Sequence, residues 1–157
     1  MSVTVSITLN GESVSAAVEP STLLVELIRE HFRLTGTHVG CDTSQCGACV
    51  VHVNGCSVKS CTLLAVQVEG ADISTIESLA KNGRLHPMQQ AFKTHHGLQC
   101  GFCTPGIAVR AAVLLRDNPA PSRDEIAKSL KQHICRCTGY HNIVSAVASA
   151  GQKMREA

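Results

Sequence analysis

Gly40-Cys41-Asp42-Thr43-Ser44-Gln45-Cys46-Gly47-Ala48-Cys49 carries three thiols in Cys-x4-Cys-x2-Cys spacing. This is a known spacing for a [2Fe–2S] cluster, which takes its fourth thiolate from a distant position. Gly40, Gly47 and the small Ser44 and Ala48 suit a tight loop whose amides can face the sulfurs. A hairpin follows directly, with Val50 to Val53 and Cys56 to Ser60 about Asn54-Gly55. Asn-Gly is a strong two-residue turn signal. That turn pairs Val53 with Cys56, sets Cys49 level with Ser60, and returns Cys61 to the loop. Cys56 lies at the tip, about 13 Å from the level of Cys49 at the usual strand rise. Cys61 is therefore the expected fourth ligand. Cys56 is the spare thiol, expected to be a small, partly buried hydrophobe.

Outward from this loop, Val3, Val5, Ile7 and Leu9 alternate with Ser and Thr, as in a half-buried strand. Asn10-Gly11 turns the chain into a second strand, Ser13 to Val18. Leu23 to Phe32 reads as a helix, with Leu23, Leu24, Leu27, Ile28 and Phe32 at helical spacing. Ala65 to Val68 and Asp72 to Ile76 read as short closing strands around Glu69-Gly70. Near residue 78 the pattern turns helical. Met88 to His96 is one helix. Thr104-Pro105 starts another, with Thr104 as N-cap, and its run Ile107 to Leu115 is apolar nearly all round. Ser122 and Glu125 form a capping box before a helix with Ile126, Ala127, Leu130 and Ile134 on one face. Ile143, Val147 and Ala150 mark the last helix.

A second set of four thiols lies in this half: Cys100 and Cys103 before a helix start, Cys135 and Cys137 after another helix. Residues two apart do not share a helix face, so Cys135 and Cys137 need a loop. By spacing alone the set suits either a cluster or a four-thiolate zinc site. Arg136, between two thiols, is a candidate for tuning the centre or meeting an anionic partner. His133 and His141 flank that pair, and packing or solvent contact is their simpler role. His52, His95 and His96 have no metal-like spacing.

The chain has 157 residues, nine of them Cys, with 44% hydrophobic and 3% aromatic residues and a formal charge of +2. The near-neutral balance argues against a nucleic-acid binder. The apolar content argues against disorder, and the lack of Trp argues against a base- or sugar-stacking platform. The first residues alternate in polarity, unlike a secretion signal, and no run approaches a membrane span. The expected location is the cytoplasm, where dense cysteines point to metal or redox chemistry over disulfides.

Taken together, GCDTSQCGAC (40–49), VKSC (58–61), GLQCGFCTPG (97–106) and CRCTGYHNIV (135–144) resemble the small iron–sulfur subunit of the molybdenum hydroxylases, the xanthine oxidase family. Within that family the chain resembles the small chain of carbon monoxide dehydrogenase and its relatives. The resemblance implies an α+β protein: a β-grasp ferredoxin-like domain at 1–77 and a four-helix bundle domain at 78–157. Each would hold one [2Fe–2S] cluster, on Cys41, Cys46, Cys49 and Cys61 in the first and on Cys100, Cys103, Cys135 and Cys137 in the second. It implies that Gln99 and Cys137 approach the molybdopterin of a large subunit, and that the first cluster faces FAD on a medium subunit. The expected assembly is a heterotrimer or a dimer of heterotrimers, oxidising CO, an N-heterocycle, a purine alkaloid or an aldehyde. This chain would carry electrons and hold no substrate site, since no nucleotide motif or nucleophile–base set stands out. Val50 and Val51 stand where many relatives have Thr-Val, with no functional consequence expected. A free-standing ferredoxin and a zinc-structured interaction module are the other readings.

Overall fold

The computed structural model describes residues 1–156. Five strands form one mixed sheet in the order β2-β1-β5-β3-β4. Strands β1 (Val3–Leu9) and β2 (Glu12–Val18) pair antiparallel from Val3↔Val18 to Leu9↔Glu12. Asn10 and Gly11 both have positive φ, as the two-residue turn requires. Strands β3 (Val50–Val53) and β4 (Cys56–Lys59) repeat the device around Asn54 and Gly55. Their register, Val50↔Lys59 to Val53↔Cys56, is the one expected from the sequence. The short β5 (Asp72–Ser74) joins the two hairpins, parallel to β1 and antiparallel to β3.

Alternation in β1 buries Val5, Ile7 and Leu9 against Leu24, Leu27, Ile28, Val51 and Ile73. The helix expected at Leu23–Phe32 is present but uneven. A short α1 (Leu24–Glu26) widens into a π-turn over Leu27–His31, where the Phe32 amide donates to the Leu27 carbonyl. The expected strand Ala65–Val68 is instead a 3₁₀ turn. Ala65 and Val68 are buried three residues apart, which matches the three-residue turn better than alternation. Its amides also have other partners: Ala65 donates to the Thr22 carbonyl and Gln67 to the Leu64 carbonyl, while the Gln67 side chain accepts from the Leu64 amide ahead of the turn. The expected strand Asp72–Ile76 stops at Ser74, because Thr75 bonds to the Asn10 side chain and a 3₁₀ turn follows at Ile76–Ser78.

The second half carries α2 (Pro87–Thr94), α3 (Thr104–Asp117), α4 (Arg123–Ser129) and α5 (His141–Glu156). Helix α2 stops two residues before His96, which adopts positive φ while Gly97 donates back to Phe92. Helix α3 packs against β3 and β4 on one side and α2 and α4 on the other, which explains its all-round apolar sequence. Its N-cap is Cys103, one residue earlier than expected, and Thr104 is the first helical residue. The Ser122–Glu125 capping box forms as read. The face expected on α4 is only half present. Ile126 and Leu130 are buried, Ala127 is exposed, and Ile134 lies past the helix end at 53% exposure. Ile143, Val147 and Ala150 of α5 are fully buried as expected. The sheet and the helices have separate apolar cores.

Candidate metal centres

The loop before β3 presents Cys41, Cys46 and Cys49 from irregular backbone, with Ser44 and Gly47 at positive φ. Cys46 and Cys49 are buried, and Cys41 is half-buried. The Cys46 amide donates to the Cys41 sulfur over 3.4 Å. The amide and the thiol of Cys46, with the amides of Gln45 and Thr43, pull the Cys41 thiol down to about 6, favouring the thiolate. Past the hairpin, Ser60 donates from both its amide and its hydroxyl to the Cys49 carbonyl. This clamps the following 3₁₀ turn, Ser60–Thr62, beside the loop, so Cys61 meets Cys49. Burial, and the thiolates of Cys61 and Cys46, push Cys49 up to about 11. A buried thiol of this kind becomes a thiolate when a cation binds it. Lys59 donates a 2.6 Å hydrogen bond to the Ser44 carbonyl and ties the loop to β4. Cys56 stands at the hairpin tip and is exposed, not partly buried as expected. The turn residues beside it leave its side chain outside both cores.

The second set assembles from two segments. Cys100 and Cys103 lead into α3, and Cys135 and Cys137 lie on the loop between α4 and α5. The Cys137 and Cys100 sulfurs are 3.5 Å apart. Cys103 hydrogen-bonds Cys135, and burial together with Cys135 and Cys100 pushes Cys103 up to about 12. Cys135 is partly buried, which raises it, but the Thr138 hydroxyl at 3.1 Å and the Thr138 and Cys137 amides outweigh this and lower it. Among the described residues, no three His, Cys, Asp or Glu donors surround one point. The thiols meet in twos: Cys41 with Cys46, Cys49 with Cys61, Cys100 with Cys137, and Cys103 with Cys135. Two pairs per site is the donor set a two-iron centre takes, one pair for each iron.

Tyr140 was missed in the sequence. Its hydroxyl accepts from the Cys135 amide at 2.8 Å and donates to the His133 carbonyl at 3.0 Å, pinning the loop. Its one signal was uniqueness, as the single Tyr of the chain, three residues after Cys137. Gln99 donates from its side chain to the Cys137 carbonyl at 3.2 Å, and both residues are exposed. Arg136 is exposed beside them, His141 is exposed at the start of α5, and His133 is buried. His52 bonds the Val109 carbonyl of α3.

The two sites adjoin. The Ile134 amide donates a 2.9 Å hydrogen bond to the Cys46 carbonyl. Gly106 of α3 lies so close to the first loop that a Cβ there would collide with the Gly47 carbonyl and sit 3.2 Å from Ala48. Between the sites, Cys46, Cys103, Cys135 and Phe102 line a cavity of about 160 Å³. Phe102 stacks on His38 at 4.6 Å. Val39, Leu98, Phe102 and Ile134 leave apolar surface exposed around this region.

Two family models match the chain. One described as "2Fe-2S iron-sulfur cluster binding domain" covers residues 7–84, and one described as "[2Fe-2S] binding domain" covers residues 75–148. The nicotine 6-hydroxylase small subunit of Paenarthrobacter nicotinovorans is 43% identical, over 94% of this chain and 89% of that one. The caffeine dehydrogenase subunit gamma of Pseudomonas sp. (strain CBB1) is 45% identical, over 92% and 89%. In the solved structure of quinoline 2-oxidoreductase from Pseudomonas putida 86, one chain superposes with a TM-score of 0.95 at 41% identity, covering 99% of this chain and 97% of that one.

Proposed function

The chain belongs to the small [2Fe–2S] subunits of the molybdenum hydroxylases, and from that premise we propose how its residues carry electrons. Cys41, Cys46, Cys49 and Cys61 hold one cluster, and Cys100, Cys103, Cys135 and Cys137 hold the other. The pairing of thiols in twos carries this assignment. When bound, the clusters supply one-electron redox chemistry. The protein's part is to hold thiolates with amide and hydroxyl donors and to fix the two loops against each other. The Ile134–Cys46 hydrogen bond gives a route between the sites that is covalent at every other step.

Gln99 and Cys137, linked and exposed, form the end that meets the molybdopterin of a large subunit. Cys41 and Cys61, at the other site, face the FAD of a medium subunit. The exposed Val39, Leu98, Phe102 and Ile134 are the apolar surface such partners bury. We read the complex as cytoplasmic, with one copy of each subunit in the basic unit, acting on an N-heterocycle, purine alkaloid or aldehyde. The first half is a β-grasp fold and the second a four-helix bundle, with the boundary between 77 and 78.

The test is iron and labile-sulfide analysis of the purified chain, with visible and EPR spectra and identification of co-purifying chains. Two EPR-distinct clusters and two larger partners are expected. A colourless zinc protein would sink the electron-transfer reading. A loaded chain without partners would favour a free-standing carrier.

A further inference from the structure

A second cavity, about 430 Å³, opens between β4 and the α3–α4 helices. Four cations line it: Lys59, Arg110, Lys128 and Lys131. No carboxylate lines it, and among the described residues none of the four is in an ion pair. Asp117 pairs with Arg116 and Glu125 bonds Ser122, and the two carboxylates reach Arg110 and Lys128 only at longer range. Two of the cations are held in place by backbone. Lys59 donates to the Ser44 carbonyl, and the Arg110 Nε donates to the Ser129 carbonyl at 3.5 Å. Each keeps further N–H donors free.

His133 lines the same cavity at 4% exposure, and neither ring nitrogen has a hydrogen-bond partner. The Gly106 carbonyl is near the ring without bonding it. The buried Ser57 hydroxyl on β4 is also unpartnered. Buried polar groups normally find partners, so two unsatisfied donors in a carboxylate-free, fourfold cationic cavity call for an acceptor-rich ligand. The volume falls within the range of small-ligand sites and exceeds a bare phosphate.

We propose that this cavity binds an oxyanion of the phosphate class, a phosphate or pyrophosphate group bearing at most a small organic part. Arg110 provides the planar fork, Lys59, Lys128 and Lys131 the charge, and His133 and Ser57 the neutral hydrogen bonds. The site uses none of the eight paired thiols, so it stands or falls separately from the electron-transfer role.

The test is calorimetric titration of the full cluster-loaded chain, and of the assembled complex, with inorganic phosphate and pyrophosphate. Saturable binding is expected, weakened about tenfold by Arg110→Met, the loss of one charge-assisted contact. Lys131→Met, at an exposed position, weakens it less and keeps the test alive if the Arg110 variant does not fold. Lys93→Met on α2 serves as the control and leaves binding unchanged. Binding to the chain but not to the assembled complex would overturn the proposal, because the cavity would then be covered in the working protein. No binding to the chain, or binding that both cavity variants leave unchanged, overturns the proposal.

Discussion

The amide of Ile134 donates to the carbonyl of Cys46 at 2.9 Å, joining the last thiol loop to the first. Each residue is in or next to a thiol-bearing motif, yet they lie 88 positions apart in sequence (134 − 46). Replacing Ile134 by Pro removes the only donor of that bond. Both EPR signals should persist while electron passage between them slows in freeze-quench kinetics. The orphaned carbonyl should cost about 1–3 kcal/mol in denaturant midpoint. Unchanged passage with both clusters present would falsify the route.

Gly106→Ala should weaken the contact between the loop and α3. A methyl group there meets the Gly47 carbonyl and Ala48, both backbone, so neither can rotate away. Overpacking of this kind costs about 1–3 kcal/mol. Urea unfolding should show the loss, and the EPR signal of the first site should broaden or disappear. Wild-type stability in this variant contradicts the close approach.

Cys61→Ser should abolish the cluster at the first site, whereas Cys56→Ser should leave both. The register Val53↔Cys56 puts Cys56 at the exposed tip and Cys61 beside Cys49. Iron counts per chain decide the matter, and a drop in Cys56→Ser overturns the assignment.

Tyr140→Phe leaves the Cys135 amide and the His133 carbonyl without their shared partner. A cost of about 1–3 kcal/mol is expected from the stranded groups. The second EPR signal should shift and the first should not. A shift confined to the first signal would contradict the placement.

His52 governs part of the pH dependence. Burial lowers its pKa from 6.5, Arg116 adds to this, and the Val109 carbonyl opposes it. Below about 6.5 the unfolded imidazole takes up a proton that the folded one refuses. The unfolded state then binds more protons, so stability falls as pH drops through that window. His52→Gln keeps a donor for Val109 and should flatten the profile of urea midpoints between about pH 7.5 and 5. Parallel profiles for the two proteins would rule this out.

Much of the first site was legible because it is local. Asn54-Gly55 fixes a two-residue turn, the turn fixes the register, and the register separates Cys61 from Cys56. The second site was legible only as a list of thiols. Which sulfurs meet depends on how α3 and α5 place two loops, and short motifs do not encode that placement. Misread elements failed for similar reasons. Ala65 to Val68 has strand-like residues, but the amides of Ala65 and Gln67 are claimed by the Thr22 and Leu64 carbonyls. Ile134 looked like a fourth apolar position on α4. The helix ends at Ser129, and the amide of Ile134, not its side chain, makes the tertiary contact.

Where the two thiol loops meet, the contact is built from main chain: a carbonyl, an amide and two glycines. Elsewhere the halves meet through side chains, those of α3 against β3 and β4 and of His52, Arg116 and His38. Main chain is common to every sequence that adopts this backbone. Grafting the first half of one relative onto the second half of another should therefore need side-chain matching along α3 and the β3–β4 hairpin, and little where the thiol loops meet. Electron carriers with recombined potentials, and partners recruited from different enzymes, become accessible by exchanging whole halves.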